Sequence, residues 1–297
     1  MNLKNLRKDV LLAPYTTYQI GGEADYFTTA NTKEELTQAI LEARKNNSPF
    51  FVLGSGANIL VSDKGFRGVV IHNNSNNFRF ENNLLIAESG ALIADLINSS
   101  LDMGLSGLEH FAGIPSSVGG AIRQNLHFLS PDRQSTYFIE SIVKEGLVLE
   151  KREEKRVEKG YFKFSYDDSI LHHDKDIIVL EITFELEKKE RKFIQKQIEE
   201  NLRWRNEKQP QLHEFPSCGS VLKKIEGVGA GRLIEKCGLK GKQIGGAKIS
   251  EKHANYIVNL GNATARDVRA LINLVQETVL KETGYKLEPE IGFIGEF

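Results

Sequence analysis

The chain has 297 residues, with 39 Lys and Arg against 40 Asp and Glu and a formal net charge of -1. That length suggests about two domains. The near-neutral balance excludes a global electrostatic drive toward nucleic acid or an anionic membrane, so a bound polyanion must be held locally.

The first ten residues alternate Lys, Arg, Asp and Asn with isolated Leu. No apolar segment follows them, so no signal peptide is expected. Residues 31–46 read as a helix: Thr32 and Glu35 make a capping box, and Leu36, Ala39, Ile40 and Ala43 share one face. Residues 50–53 read as a buried strand, stopped by Gly54-Ser55-Gly56. Strands are expected at 69–71 and 84–87, with an Asn-rich turn region at 73–83 between them. A helix is expected over 91–103, ended by Gly104.

Residues 139–143, 147–149 and 177–186 read as strands, with the charged stretch 151–159 as a solvated hairpin tip or face. The apolar run at 177–180 is far too short to span a bilayer. A long charged helix is expected over 187–208, followed by Pro210 and a domain boundary near 190. A short helix follows at 230–237. A longer one starts after Thr264, buries Val268, Leu271, Ile272, Val275 and Val279, and stops at Gly284. Strand–helix alternation implies α+β or α/β layering. Cys218 and Cys237 are too few for a disulfide framework or a zinc site, so a reduced, cytoplasmic protein is expected.

Two glycine loops can carry chemistry. The first contains Gly54, Ser55, Gly56, Ala57, Asn58 and Ile59, directly after a strand. Its glycines permit left-handed backbone, and successive N–H groups in such a turn can cradle phosphate oxygens, although a plain tight turn reads the same way. It is not a Rossmann fingerprint, because Ile59 takes the third glycine position. The second holds Gly113, Ile114, Pro115, Ser116, Ser117, Gly119 and Gly120. Two such loops together favour a dinucleotide-type cofactor. Further on, 216–220 ends in Gly219-Ser220, which is no nucleophile elbow. Glu288 and Glu290 flank Pro289 beside an apolar C-terminal strand. A glycine-rich segment opening the helix at 230, and His172-His173-Asp174, read as a helix entry and a solvated turn.

These motifs in this order, with 17–25, 239–259 and 288–295, resemble the UDP-N-acetylenolpyruvoylglucosamine reductases, the MurB family. The resemblance implies an α+β fold: a two-part FAD-binding unit of the vanillyl-alcohol-oxidase (PCMH) type over 1–190, split near 72, and a C-terminal α/β substrate-binding domain over 191–297. It implies FAD and NADPH as cofactors and a small UDP-sugar as substrate. No nucleic-acid or membrane partner is expected, and the protein should be a monomer. The two glycine loops match the family's FAD pyrophosphate contacts. Ser220 matches its proton donor, and Glu290 its stabilising carboxylic acid. The family usually carries Tyr-Arg-x-Ser where this chain has Tyr166-Asp167-Asp168-Ser169. Arg123 is the first candidate to supply the displaced cation, with Arg133 and Lys223 behind it. Asn125 and Tyr166 complete the expected substrate contacts. The short stretch between Ser169 and Pro216 leaves no room for the extra loop of some members, implying an open cleft. Two alternatives stay open on sequence: a different flavin oxidoreductase on the same fold, and a non-catalytic binder of FAD or UDP-sugar.

Overall fold

The computed structural model describes residues 3–132, 134–225 and 227–297. Its chain forms two compact units that interleave in sequence. One comprises residues 1–6, 28–55 and 70–205; the other comprises 7–27, 56–69 and 206–297.

The first unit is built on a five-stranded antiparallel sheet in the order Glu153–Glu158, Val143–Glu150, Ile177–Glu185, Leu84–Glu88, Phe78–Glu81. The middle strand, Ile177–Glu185, is buried along most of its length, as its unbroken apolar run requires. Helix Ile93–Met103 packs Leu96, Ile97 and Leu101 into the core over this sheet and ends on Gly104 in left-handed backbone. Helix Lys33–Lys45 starts at Thr32, whose hydroxyl accepts from the Glu35 N–H at 3.2 Å. The Glu35 carboxylate accepts from the Asn31 N–H at 2.8 Å, one residue outside the expected box. Helix Val118–Gln124 follows the second glycine loop. Helix Arg191–Lys208 buries only Ile194, Ile198 and Asn201, in keeping with its charged sequence.

Three local expectations are corrected. The Asn-rich stretch contains a strand, Phe78–Glu81, because Phe78 and Phe80 alternate with charged residues. Residues Ile139–Ser141 form a 3₁₀ turn, and the strand begins only at Val143. The long helix begins at Arg191, since Glu187–Lys188 pairs with Leu105–Ser106 instead. The charged stretch supplies a turn and then the exposed edge strand Glu153–Glu158.

The second unit has its own core, running from Tyr18 and Leu60 to Leu287 and Ile291. Arg7–Leu11 pairs antiparallel with the strand that starts at Glu23. Gln243–Ile244, Ala247–Ile249 and Ile257–Asn259 form an antiparallel three-stranded sheet. Helix Ala265–Thr283 covers this unit's core with Val268, Leu271, Ile272, Val275 and Val279. It begins in a full Thr264–Asp267 capping box and ends at left-handed Gly284. Ile59–Val61 pairs in parallel with Gly292–Ile294, tying the first glycine loop to the C-terminal motif. No described helix is long and apolar enough to cross a membrane.

Candidate active site

The first glycine loop leaves strand Phe50–Leu53, and the division between the units falls between Ser55 and Gly56. Gly56 has φ +64°, and a Cβ there would lie 2.3 Å from the Tyr15 carbonyl oxygen. Its own carbonyl accepts from the Thr17 N–H at 3.2 Å, so the 17–25 motif braces the loop. The N–H groups of Ser55, Gly56, Ala57 and Asn58 meet no acceptor among the described residues. Gly56 is buried and its neighbours are half-buried, and successive N–H groups without a protein acceptor suit the oxygens of a diphosphate. Ile59 opens the strand that pairs with Gly292.

The second loop is bound more tightly to its own unit. Ser117 caps helix Val118–Gln124, its hydroxyl accepting from the Gly120 N–H at 3.3 Å. The Gly119 N–H donates to the Ser89 carbonyl at 2.7 Å. Those two N–H groups are therefore already engaged, whereas those of Ser116 and Ser117 meet no acceptor among the described residues. Gly113 takes φ +80°, Ile114 is half-buried, and Pro115 lies exposed between them and the cap. The two loops touch: a Cβ on Gly54 would sit 2.3 Å from the Ser117 Oγ and 3.3 Å from its Cβ. Only a glycine lets the first loop pass the cap of the second.

The segments that carry Ser220 and Glu290 run side by side in local antiparallel pairing, with Leu222 opposite Pro289. The Glu290 N–H donates to the Val221 carbonyl at 3.0 Å, and the Lys223 N–H donates to the Glu288 carbonyl at 2.8 Å. Both Ser220 and Glu290 are half-buried, while Glu288 is exposed. Cys218 lies buried beside them, and its thiol is pushed above the ordinary thiol range first by burial and then by the Glu290 charge. Tyr18, fully buried, is likewise raised by burial and then by Cys218. Its hydroxyl donates to the Ile257 carbonyl at 2.8 Å.

Sequence reasoning missed Asn255. Its side chain accepts from the Leu222 N–H at 3.1 Å and donates to the Leu222 carbonyl at 2.8 Å. It thereby acts as a surrogate strand beside Ser220. The signal was present only as one polar residue inside the 239–259 motif, where nothing marks its partner.

The expected substrate contacts divide. Asn125 is buried at the left-handed C-terminus of helix Val118–Gln124, and its amide donates to the Ser165 carbonyl at 3.0 Å. It pins the turn carrying Tyr166 and Asp167. Tyr166 is exposed. Arg123 is exposed on the same helix, with Asp168 acting on its guanidinium, and its carbonyl accepts from the Ser169 hydroxyl at 2.8 Å. Lys223 is half-buried on the Ser220 segment. Arg133 lies outside the described residues.

Comparison with known proteins places these features in a family. The description "FAD binding domain" matches residues 24–137, and "UDP-N-acetylenolpyruvoylglucosamine reductase, C-terminal domain" matches residues 209–294. The chain is 41% identical to the UDP-N-acetylenolpyruvoylglucosamine reductase of Caldanaerobacter subterraneus subsp. tengcongensis, covering 95% of this chain and 91% of that one. It is 36% identical to that of Clostridium novyi over 100% of this chain and 94% of the relative. A crystal structure of UDP-N-acetylenolpyruvylglucosamine reductase (MurB) from Thermus caldophilus matches with TM-score 0.81 at 32% identity, covering 98% of this chain and 100% of that one. The fold is α+β, an FAD-binding domain of the PCMH type followed by a MurB C-terminal domain. The chain belongs to the UDP-N-acetylenolpyruvoylglucosamine reductase family.

Proposed function

We propose that the protein catalyses FAD-dependent, NADPH-consuming reduction of UDP-N-acetylglucosamine enolpyruvate to UDP-N-acetylmuramate, a step of peptidoglycan synthesis. The observation that carries this reading is family membership over the whole chain, and the pairing of the segments that carry Ser220 and Glu290 supports it. We assign the cofactor part to residues 1–190 and the substrate part to 191–297, and take the protein to be a cytoplasmic monomer.

Bound FAD, reduced by NADPH, supplies a hydride to the methylene carbon of the enolpyruvyl group. The residues of this chain supply binding, orientation and the proton. The N–H groups of residues 55–58 hold the FAD diphosphate. An enol ether is electron-rich, so hydride addition needs its carboxylate polarised and the developing negative charge held by fixed donors. Glu290 takes up a proton when the substrate carboxylate binds and then donates to it. The Ser220 hydroxyl delivers its proton to the ether-bearing carbon, giving the saturated lactyl ether. A serine is a weak acid, so the transfer works only against a strongly basic carbon. Asn255 and the Glu288–Lys223 pairing fix the backbone from which both side chains project.

The purified protein tests this reading. It should carry flavin absorbance and oxidise NADPH stoichiometrically only when UDP-N-acetylglucosamine enolpyruvate is added. Flavin reduction by NADPH without any response to that compound would point to another flavin oxidoreductase. Absence of turnover with every addition would point to a binding protein.

A further inference from the structure

The segment that carries Ser220 is irregular just where the hydroxyl sits. It runs antiparallel to 255–259, with Ser220 opposite Tyr256 and the Val221 N–H donating to the Asn255 carbonyl at 2.9 Å. At the other end the Asn259 N–H donates to the Pro216 carbonyl at 2.8 Å. Between those two bonds the Ser220 segment has one residue more than its partner. One extra residue on one side of an antiparallel pair is a β-bulge, and left-handed Gly219, at φ +83°, supplies it.

In a regular ladder the pair next to Ser220 and Tyr256 would be Gly219 and Ile257, exchanging hydrogen bonds. The Gly219 N–H makes no such bond. The Ile257 carbonyl accepts instead from the Tyr18 hydroxyl at 2.8 Å. Tyr18 is fully buried, and its own carbonyl accepts from the Asn259 side-chain amide at 3.0 Å, so it is fastened to the same segment at both ends. A side-chain hydroxyl thus stands where a backbone donor would. The N–H groups of Gly219 and Ser220 meet no acceptor among the described residues. Both residues are half-buried, and a Cβ on Gly219 would meet nothing within 4 Å, so the space beside it is open. Left-handed backbone beside ordinary backbone is how a chain turns successive N–H groups toward one anion. Tyr18, Gly219, Ser220 and Ile257 all belong to the second unit.

We propose that the Gly219 and Ser220 N–H groups hold a carboxylate oxygen of the enolpyruvyl group, and that Tyr18 is the positioning residue that keeps them free. The proposal rests on the reading that the protein reduces UDP-N-acetylglucosamine enolpyruvate. Hydride addition at the methylene carbon drives the π pair onto the ether-bearing carbon and, by delocalisation, onto the carboxylate oxygens. The Ser220 hydroxyl gives its proton to the ether-bearing carbon and recovers one from solvent. That carbon is bonded to the carboxylate carbon, so the residue that protonates the one has its own N–H within reach of an oxygen on the other. Fixed backbone donors meet the developing charge without reorganising.

Amide NMR of the oxidised FAD-bound protein, labelled by cell-free synthesis, is the test. Gly-Ser occurs only at 54–55 and 219–220, so ¹³C-carbonyl glycine with ¹⁵N-serine selects Ser55 and Ser220. Cys-Gly occurs only at 218–219 and 237–238, so ¹³C-carbonyl cysteine with ¹⁵N-glycine selects Gly219 and Gly238. On saturation with UDP-N-acetylglucosamine enolpyruvate the Gly219 and Ser220 amide protons should move downfield, while those of Ser55 and Gly238 stay in place. UDP-N-acetylglucosamine, which lacks the carboxylate, should give no downfield shift. In Tyr18→Phe the Gly219 N–H is able to close on the Ile257 carbonyl. Its signal should then lie downfield before substrate is added and not respond to it, and kcat should fall about a hundredfold with a far smaller change in KM. Wild-type Gly219 and Ser220 signals that stay put while flavin absorbance responds to the substrate overturn the proposal without any variant. An equal shift with UDP-N-acetylglucosamine, or a Tyr18→Phe protein with wild-type kcat, also overturns it. Wild-type protein that retains FAD but whose flavin absorbance responds to neither compound instead refutes the functional reading beneath it.

Discussion

Replacing Gly54 by Ala perturbs the junction of the two glycine loops. The new Cβ would lie 2.3 Å from the Ser117 Oγ, far inside contact distance. The hydroxyl can escape by rotating, but it then ceases to cap helix Val118–Gln124, where it accepts from Gly120 at 3.3 Å. Loss of a helix N-cap costs about 1 kcal/mol, within a range of roughly 0.5–2. The Ser117 Cβ, at 3.3 Å, cannot move without its backbone, so the loop shifts as well. Gly54→Ala should therefore lower stability by about 1–2 kcal/mol and weaken FAD binding about tenfold. Urea unfolding followed by far-UV circular dichroism gives the first quantity, and flavin fluorescence on titrating the FAD-free protein gives the second. Ser117→Ala alone should lose only the cap. The double variant should lose only a little more than Ser117→Ala, through the remaining 3.3 Å approach to the Cβ of residue 117, because the main clash and the cap involve the same hydroxyl. Additive penalties, or a Gly54→Ala protein that binds FAD like the wild type, would refute the reasoning.

Other outcomes follow from the same geometry. Ser220→Ala should cut kcat by about a hundred- to ten-thousandfold while NADPH still reduces the bound flavin, as stopped-flow absorbance would show; an unchanged kcat would remove Ser220 from its role. At pH 8 a thiol reagent should titrate only Cys237 in the folded protein and both cysteines in denaturant, because burial and then Glu290 hold Cys218 in its thiol form. Burial opposes ionisation of Asp267, but hydrogen bonds from Thr264 and the Gly246 N–H prevail and hold its carboxyl below the usual range. A lowered folded value stabilises the protein above the unfolded value, and that stabilisation is lost as pH falls through the folded one. Asp267→Asn should thus cost about 1 kcal/mol at pH 7 and much less near pH 3, read as urea midpoints at the two pH values.

The elements most legible in the sequence were those that carry their own boundary chemistry. Thr32, Thr264, Gly104 and Gly284 mark helix ends by local rules, and each stands at its expected terminus. The strand at Phe78–Glu81 was hidden because it lies at a sheet edge, where polar residues are tolerated and the apolar run is absent. The turn at Ile139–Ser141 shares its apolar composition with a strand, and composition alone cannot separate the two. The glycine loops were visible as loops, but their mutual contact at Gly54 and Ser117 depends on tertiary approach. The same holds for Asn255 beside Leu222 and for His127 beside Asp167. Each of these pairs joins residues with no shared local pattern. A buried acid at 167 could be read from sequence only as an unexpected residue, whereas the structure supplies the imidazole facing it.

Where the two added hydrogens go distinguishes this reaction from any other. Protein reduced anaerobically with one equivalent of NADPH in deuterated water can be mixed with UDP-N-acetylglucosamine enolpyruvate while flavin absorbance is followed. The flavin should reoxidise in step with substrate loss. The product should carry two added hydrogens, one of them a solvent deuterium at the ether-bearing carbon and the other, passed on through the exchangeable flavin N–H, on the former methylene carbon. Flavin that stays reduced after the substrate is added, or a product without deuterium at the ether-bearing carbon, would contradict the proposed reaction.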